Sequence, residues 1–341
     1  SIIGYKERRL SNVQIKSGKN VLNAVLEETS IQADEVVVMP KPERYDASGI
    51  SARLGKDMVA SAPGSAQDIF WVIQTLPGIA SDGDNSKLYV RGGSPDENLV
   101  LFDGATIGNP FHFDMMGGGF YSIFNSRLVD KVEFYAGGFP ARYGDRLSSV
   151  LDIENRTADF EKTKGELSLS MSDVSGVLEA PLTFANGSAL LSARRSYFDA
   201  FLKYTDLVGK YDVLPYFFDI NSKLDFNLSQ QHKLIFSVLF SRERMYAYFD
   251  DNPHYTGDFS FESRNGVATA QLRSVLTDLF LSDFIFSWSS VKRSSVQPGG
   301  GFEELTDQVL SVKQDFATIL PSHELHLGAW PAAQFFERVE H

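Results

Sequence analysis

Strict two-residue alternation in residues 216–229 constrains the fold more than any other feature of this sequence. In "YFFDINSKLDFNLS", apolar side chains such as Ile220 and Phe226 hold the even positions, and nearly all odd positions are polar, as at Asp219 and Lys223. A period of two residues places the two sets on opposite faces of a β-strand. The alternation recurs in "GELSLSMS" and "FLSDFIFSWSS", so the sequence predicts an all-β region from about residue 163.

The connections between these predicted strands alternate in length. "TFANG", "LSQQH", "TD" and "LPS" are short, whereas "FDAFLKYTDLVGKYDVL", "YFDDNPHYTGD" and "SSVQPGGGFEE" are long. Short turns at one end and long loops at the other are typical of an outer-membrane barrel. A soluble antiparallel sandwich would share the alternation but not the asymmetry of the turns.

Three segments precede the all-β region. Residues 1–33 contain short alternating pieces that indicate the last strands of a small β-sandwich, and residues 34–49 form a proline-containing linker. Residues 50–160 mix patterns of helix and strand, with a helix in "GSAQDIFWVIQTLPGI" that begins at an N-cap at Ser65. "KLYVRG" and "NLVLFDG" are predicted to be neighbouring strands of a hairpin that turns at the paired glycines. This segment is therefore predicted to be a compact α+β module.

The length of the all-β region raises the question of where that module lies. Membrane-spanning strands need about 9–11 residues each, so residues 161–341 accommodate about eight or nine strands. An eight-stranded barrel is filled by its own side chains, whereas a barrel of about 22 strands can hold a plug. Either the module lies outside a small barrel, or the barrel is incomplete in this chain. The absence of a closing aromatic strand before His341 favours the second interpretation.

Composition excludes several classes of function. The formal net charge of −12 argues against binding to a nucleic-acid backbone, and the single "RGG" lies between predicted strands. The absence of cysteine excludes disulfides, thiolate metal sites and a cysteine nucleophile. "HELH" at 323–326 is one residue short of the zinc-protease spacing and alternates as a strand does. No catalytic motif is distinguishable, so the sequence indicates neither an enzyme, nor a metal site, nor a cofactor.

Three motifs resemble a known family. "DEVVVM", "LYVRGGSPDENLVLFDGATIGNP" and "VDKVEFYAGGFPARYGDRLSSVLDIENR" are similar to the plug domain of TonB-dependent outer-membrane receptors of the Bacteroidetes type. Residues 1–33 resemble the end of the carboxypeptidase-regulatory-like domain that precedes such plugs. The resemblance implies an α+β plug domain followed by antiparallel transmembrane β-barrel strands, about 22 in the complete barrel. Residues 50–160 would be the plug, and residues 161–341 would be the first strands of an incomplete barrel.

The resemblance also implies a TonB box in the linker. The candidate residues are Asp34, Glu35, Val36, Val37, Val38 and Met39. An extended, β-branched segment in a proline-bounded linker suits strand addition by a partner protein, with backbone hydrogen bonds supplying the grip. The alternative is that these residues are simply the last strand of the preceding β-sandwich.

Two further sets of residues in the plug are candidates for function. Apical plug loops of the resembled family face the ligand cavity, which makes Phe111, His112, Phe113 and Asp114 candidate ligand contacts. The alternative is that the aromatic side chains pack against the barrel wall and that His112 is a satisfied polar residue. Arg91, Arg142 and Arg146 are candidates for polar plug–barrel contacts, because a movable plug is expected to lie in a polar lumen.

The implied function is TonB-dependent import of a scarce solute across the bacterial outer membrane. The expected partners are TonB with its inner-membrane energising complex, the solute, outer-membrane lipid and a surface lipoprotein, but no nucleic acid. A glycan, siderophore, peptide or cobalamin would each be compatible with the motifs. Two alternatives stay open: a secreted β-rich ligand-binding or scaffold protein without transport, and an outer-membrane receptor that mainly transduces signals.

Overall fold

The computed structural model describes residues 52–55, 58–59, 68–81, 83, 85–114, 118–170, 172–205, 214–252, 255–320 and 323–340. The predicted sandwich tail, residues 1–33, and the predicted linker, residues 34–49, lie outside these residues, so their boundaries stay predictions. Within the described part of the chain, no helix is long and apolar enough to cross a membrane.

A five-stranded mixed sheet forms the centre of the first module. The strands of this module are β1 (Ala52–Gly55), β2 (Ile79–Ala80), β3 (Tyr89–Val90), β4 (Asn98–Phe102), β5 (Ala105–Thr106), β6 (Phe111–His112), β7 (Tyr121–Ser122), β8 (Val129–Tyr135) and β9 (Ser149–Asn155). The order in the sheet is β1, β8, β9, β4, β5, and only the β4–β9 pair is parallel. β2 pairs with β3, and β6 pairs with β7, as separate two-stranded ribbons.

Helix α1 (Ile69–Gln74) packs against this sheet through an apolar face that includes the buried Phe70 and Ile73. Its N-cap is Asp68, whose carboxylate accepts a hydrogen bond from the Phe70 N–H at 2.9 Å. The predicted N-cap, Ser65, lies outside the described residues. The helix begins later than predicted because the side chain of Asp68 satisfies its first free amide.

The predicted hairpin between "KLYVRG" and "NLVLFDG" is wrong in its pairing. Both strands are present as β3 and β4, but β3 pairs with β2, and β4 pairs with β9 and β5. A 3-10 turn at Pro95–Glu97 separates them, and the Glu97 side chain accepts a hydrogen bond from the Ser94 N–H at 3.2 Å. Alternation identified each strand but carried no information about its neighbour.

The rest of the chain forms one antiparallel sheet. Its strands are β10 (Lys164–Leu169), β11 (Asp173–Leu182), β12 (Gly187–Ser196), β13 (Tyr216–Asn227), β14 (His232–Asn252), β15 (Tyr255–Thr277), β16 (Phe280–Val296), β17 (Phe302–Ile319), β18 (Glu324–Ala329) and β19 (Ala332–Glu340), with helix α2 (Phe198–Thr205) between β12 and β13. Each strand pairs with the next along the chain, except that β18 and β19 both pair with β17. They contact successive parts of β17, so they form one strand that is interrupted at Trp330–Pro331.

The burial of this sheet is the inverse of that in a soluble sandwich. Along β13 the polar side chains of Asp219, Asn221 and Lys223 are buried, whereas Ile220 is exposed. On β14 the outward side chains of Phe236 and Phe240 are likewise exposed. Apolar groups face outward and polar groups face inward, which is the arrangement of a strand in a membrane barrel.

The connections confirm the predicted asymmetry only in part. At one end, β13–β14 and β15–β16 are joined by the short turns 228–231 and 278–279. At the other end, the predicted long loop "YFDDNPHYTGD" consists mostly of the ends of β14 and β15, which remain paired as far as Asn252 and Tyr255. Backbone pairing continues past the height of a bilayer because these strands are 21 and 23 residues long.

The first module lies against the inner, polar face of the large sheet. Its main core is formed by α1 and the mixed sheet, and it includes Leu239 of β14 and Val267 of β15. Hydrogen bonds such as those from Asn125 to Ser192 and from Lys223 to Asn155 also join the module to the sheet. We call the first module the plug and the inner face of the large sheet the wall.

Candidate functional site

The β6–β7 hairpin carries the predicted ligand-facing residues, and α1 holds it in place. The second carboxylate oxygen of Asp68 accepts a hydrogen bond from the Ser122 N–H at 2.6 Å. The indole Nε1 of Trp71 donates to the main-chain oxygen of Phe120 at 2.9 Å. The β7 side of the hairpin is therefore fixed to α1 and to the N-cap of that helix.

The hairpin lies toward the end of the wall at which the longer connections occur. The wall residues that it meets are Asp219, near the start of β13, and Glu243 and Arg293, which lie in the halves of β14 and β16 remote from the short turns. In an outer-membrane barrel the long connections are extracellular. The hairpin therefore lies at the end of the plug where the resemblance places the ligand-facing apical loops.

His112 is fully buried at the contact between plug and wall. Its Nε2 lies 2.9 Å from Oδ1 of Asp219, and its Nδ1 lies 3.5 Å from Oε2 of Glu243. The imidazole stacks on the ring of Phe217, with ring centroids 4.2 Å apart and planes 13° from parallel. The amide of Phe113 also donates to Glu243. The structure thus gives His112 and Phe113 the wall contacts that the alternative interpretation of this loop describes.

The two carboxylates control the protonation of His112. Burial by itself would lower the pKa of His112, but the charge of Asp219 and hydrogen bonds to Asp219 and Glu243 more than offset it. The pKa of His112 is therefore raised above its usual value of 6.5, and the imidazolium is favoured.

Phe111 and Asp114, the other two candidates, face a cavity of about 340 Å³ between plug and wall. Phe111 packs edge-on against Phe70 with ring centroids 4.6 Å apart. The carboxylate of Asp114 lies 3.2 Å from the guanidinium of Arg293 and 3.9 Å from Nζ of Lys87. Lys87, Arg146 and Arg293 line the cavity together with the carboxylates of Asp96 and Asp114, so its walls carry three cationic and two anionic groups beside the aromatic ring.

The three predicted plug–barrel arginines have contacts within the plug in the described residues. Arg142 donates to the hydroxyl of Tyr135 at 2.8 Å, and its guanidinium lies 4.7 Å from the ring centroid of Tyr143. Arg146 donates to the main-chain oxygen of Asp145 at 2.7 Å and lines the cavity. Arg91, in the turn after β3, has a left-handed backbone with a φ of 49°, and its main-chain N–H donates to the oxygen of Gly78 at 3.0 Å. Their role as barrel contacts stays a prediction.

Other residues connect plug and wall in the structure, and sequence reasoning missed them. Lys223 donates to the main-chain oxygen of Asn155 at 2.6 Å. Asn125 donates to Ser192 at 2.9 Å, and Arg156 forms an ion pair with Glu179 at 2.6 Å. The sequence signal for these contacts was the row of polar residues on the inward face of each alternating strand. This pattern identifies the wall residues that can form contacts but not the plug residues that they meet.

The predicted TonB box, Asp34–Met39, lies outside the described residues and stays a prediction. In the described ranges, no group of three or more His, Cys, Asp or Glu side chains is arranged to hold a metal ion.

The fold and these contacts can be compared with known proteins. Residues 47–149 match the family profile described as "TonB-dependent Receptor Plug Domain". This part of the chain is a TonB-dependent receptor plug domain. The sheet that follows the plug resembles part of a TonB-dependent receptor barrel, so the predicted fold class is confirmed.

Individual relatives agree with this assignment. The ferric enterobactin receptor of Pseudomonas aeruginosa is 27% identical over 149 residues, which cover 39% of this chain and 20% of that protein. A crystal structure of a mutant of that receptor matches with a TM-score of 0.66 and 18% identity, over 85% of this chain and 49% of the other. The outer membrane transporter YddB from Escherichia coli matches with a TM-score of 0.59 and 13% identity, over 84% of this chain and 48% of the other.

The chain spans about half the length of these solved structures. At such identities the structural matches show the fold alone, which is that of outer-membrane β-barrel receptors with a plug. The plug resemblance stated from the motifs is thus confirmed, whereas the Bacteroidetes type and the regulatory-like tail stay predictions.

Proposed function

We propose that the chain is part of a receptor that imports a scarce solute across the bacterial outer membrane with energy supplied by TonB. The observation that carries the proposal is the plug itself, which matches the plug domain of TonB-dependent receptors and lies against the polar face of an inverted sheet. The relatives named above are receptors and transporters rather than enzymes, which agrees with the lack of a catalytic motif.

We further propose that the solute binds at the cavity beside Phe111 and Asp114. The cavity lies at the end of the plug that faces the longer connections, and the side chains of Lys87, Arg146 and Arg293 line it. Guanidinium and ammonium groups favour a ligand group with negative charge. His112 and Phe113 would support this surface from the wall side rather than contact the solute.

The proposed energy input is TonB pairing with Asp34–Met39 and pulling on the linker that precedes the plug. We also propose that residues 1–33 are the end of a carboxypeptidase-regulatory-like domain, as in receptors of the Bacteroidetes type. A surface lipoprotein is a further candidate partner. These proposals rest on the sequence motifs.

A strain that lacks the receptor tests the proposal when it is complemented with the wild type, Val37→Pro or the matched Val37→Ile. Each strain is grown with a ferric siderophore, cobalamin, a glycan or a peptide as the limiting nutrient. Val37→Pro removes a backbone donor that strand addition needs, so growth on the transported solute and cross-linking to the purified TonB periplasmic domain should both be lost. Val37→Ile should retain both.

Three outcomes would contradict the proposal. Unimpaired growth with Val37→Pro would exclude the TonB box at this position. A receptor that changes gene expression but gives no growth advantage on any nutrient would be a signal transducer. A protein that stays soluble without detergent would be a secreted ligand-binding or scaffold protein.

A further inference from the structure

Three neighbouring strands of the wall each contribute one buried charged side chain at the height of the β6–β7 hairpin. Arg194 of β12 lies opposite Asp219 of β13 in the strand register, and its guanidinium donates to the Asp219 carboxylate at 2.6 Å. Glu243 of β14 lies opposite Phe217 of β13. The carboxyl side chains of Asp219 and Glu243 are only 4% and 2% exposed. This row is therefore shielded from water, which makes its charge balance important.

The row is neutral only when His112 is charged. Asp219 and Glu243 carry two negative charges, and Arg194 carries one positive charge, which leaves one negative charge uncompensated beside a neutral imidazole. His112 contacts both carboxylates. A buried carboxylate without a partner is strongly unfavourable, so a positive charge on His112 completes the set.

The hairpin backbone directs neighbouring side chains to different surroundings. His112 points to the wall, whereas Phe111, one residue earlier in the same strand, packs on Phe70 and lines the cavity. Arg194 also donates to the main-chain oxygen of Ser122, which pairs with Phe111 across the hairpin. Loss of the wall contact would therefore change the position of the cavity-facing strand.

We propose that His112 is a positioning residue, which anchors the β6–β7 hairpin to Asp219 and Glu243 and thereby holds Phe111 and Asp114 at the solute cavity. The consequence for uptake rests on the proposed function, whereas the anchoring itself does not. A neutral His112 weakens the attachment of the hairpin to the wall, which then depends on the bonds of Phe113 to Glu243 and of Arg194 to Ser122, and the cavity-facing strand becomes more mobile.

The surrounding charged groups reinforce this dependence on protonation. Besides Arg194, Asp219 and Glu243, the groups nearby are Tyr121, which pairs with His112 across the hairpin, and Asp68 and Asp173, which act on Arg194. The carboxylates of Asp68 and Asp173 add negative charge, so they favour the protonated form of His112. The raised pKa of His112 means that the anchor is complete below about pH 6.5 and is lost as the pH rises through that pKa.

A spin label on the hairpin measures the anchor without any solute. The chain has no cysteine, so Phe120→Cys provides a single labelling site on the hairpin, and Asp130→Cys on the exposed side of β8 provides a control site in the plug. Label mobility is recorded for the receptor in native outer-membrane vesicles between about pH 6 and about pH 10. The variants are His112→Gln, His112→Gln with Glu243→Gln, and the control His232→Gln, whose imidazole bonds Ser274 near a short turn.

The wild-type label on the hairpin should be immobile near pH 6 and should gain a mobile component at alkaline pH. His112→Gln should raise the mobile fraction about tenfold or more near pH 6 and abolish its pH dependence. The double variant removes one positive and one negative charge, so its label should be immobile across the whole range. His232→Gln should behave as the wild type, and the control site should not respond in any variant.

Two results overturn the proposal. One is a wild-type hairpin label that does not respond over this pH range, which needs no variant to observe. The other is a double variant as mobile as His112→Gln alone, because the hairpin would then depend on the shape of the imidazole rather than on its charge. If TonB-dependent growth fails but the spin labels behave as expected, the proposed function is wrong and the anchoring role of His112 is retained.

Discussion

Lys223 of the wall and Asp103 of the plug form a buried ion pair, with Nζ 3.4 Å from Oδ1 and side chains that are 9% and 7% exposed. Burial raises the pKa of the Asp103 carboxyl, and neither the charge of Lys223 nor the hydrogen bond from the Asn155 amide fully offsets this effect. The ammonium of Lys223 also donates to the main-chain oxygen of Asn155. Lys223 therefore satisfies two buried oxygens of the plug at once.

Removal of Lys223 should destabilise the receptor more than neutralisation of Asp103. Lys223→Met leaves a buried carboxylate without its counter-ion and a buried carbonyl without the ammonium donor, which should lower the free energy of unfolding by roughly 3–5 kcal/mol. Asp103→Asn removes a charge whose burial is unfavourable, and Lys223 keeps its bond to the Asn155 oxygen although it loses its counter-ion, so the cost should be smaller, about 1–3 kcal/mol. Thermal unfolding in detergent measures both, and equal losses would contradict the asymmetry.

The same ion pair predicts that the stability of the folded receptor depends on pH. Because the pKa of Asp103 in the folded protein is raised above its usual value of 3.8, the folded state binds the proton more tightly than the unfolded state. The contribution of Asp103 to stability should therefore fall as the pH rises from about 4 through that raised pKa. Asp103→Asn should lack this component when unfolding midpoints of the two proteins are compared across the acidic range.

The outward face of the wall predicts that the energetic cost of a lysine substitution depends on its depth in the membrane. Val238, in the half of β14 nearer the short turn 228–231, is an exposed apolar side chain between the inward-facing Ser237 and Leu239. Val238→Lys should destabilise the inserted barrel by roughly 2–4 kcal/mol, whereas Leu279→Lys at the β15–β16 turn should cost about 0–1 kcal/mol. Unfolding from lipid vesicles measures the two values, and similar costs would place the bilayer elsewhere on the sheet.

The sequence predicted the strands better than their partners. The alternation around Asp219 and Lys223 gives both the strand and its polar face, because the period of two residues is local information. It does not show that Asp219 meets His112, which is 107 residues away in the chain. The predicted hairpin of β3 and β4 was wrong for the same reason. The parallel neighbour of β4 is β9, a strand some fifty residues later in the chain.

The candidate site was predicted at the level of the loop rather than of its side chains. Phe111–Asp114 was one predicted surface, but the structure divides it between the wall and the cavity. That division depends on which side of β6 meets the large sheet. The three-dimensional packing of plug and wall determines this division. The local sequence "NPFHFD" does not indicate which of its side chains face the wall.

Gly93 should tolerate no side chain. A Cβ atom at this position would lie 2.5 Å from Oγ of Ser148 and 2.6 Å from its Cβ, and that hydroxyl is held by its bond to the Val90 carbonyl. Gly93→Ala should therefore destabilise the plug by roughly 1–3 kcal/mol. Gly144→Ala is a matched control, because nothing lies within 4 Å of its Cβ position. Thermal unfolding compares the two, and an unaffected Gly93→Ala would show that Ser148 can move.

The charges of the cavity predict opposite effects for two substitutions on the affinity for the transported solute. Arg146→Gln removes a cationic group from the cavity and should weaken uptake affinity about tenfold if the solute carries a negative group. Asp114→Asn frees Arg293 and Lys87 from the carboxylate that lies between them, so it should strengthen affinity. Arg53→Gln, on the exposed side of β1, is the control and should leave uptake unchanged. Concentration-dependent growth or uptake of the solute found with the nutrient panel measures all three. Weaker uptake with Asp114→Asn and unchanged uptake with Arg146→Gln would instead indicate a ligand that this cavity recognises through Asp114 as an acceptor.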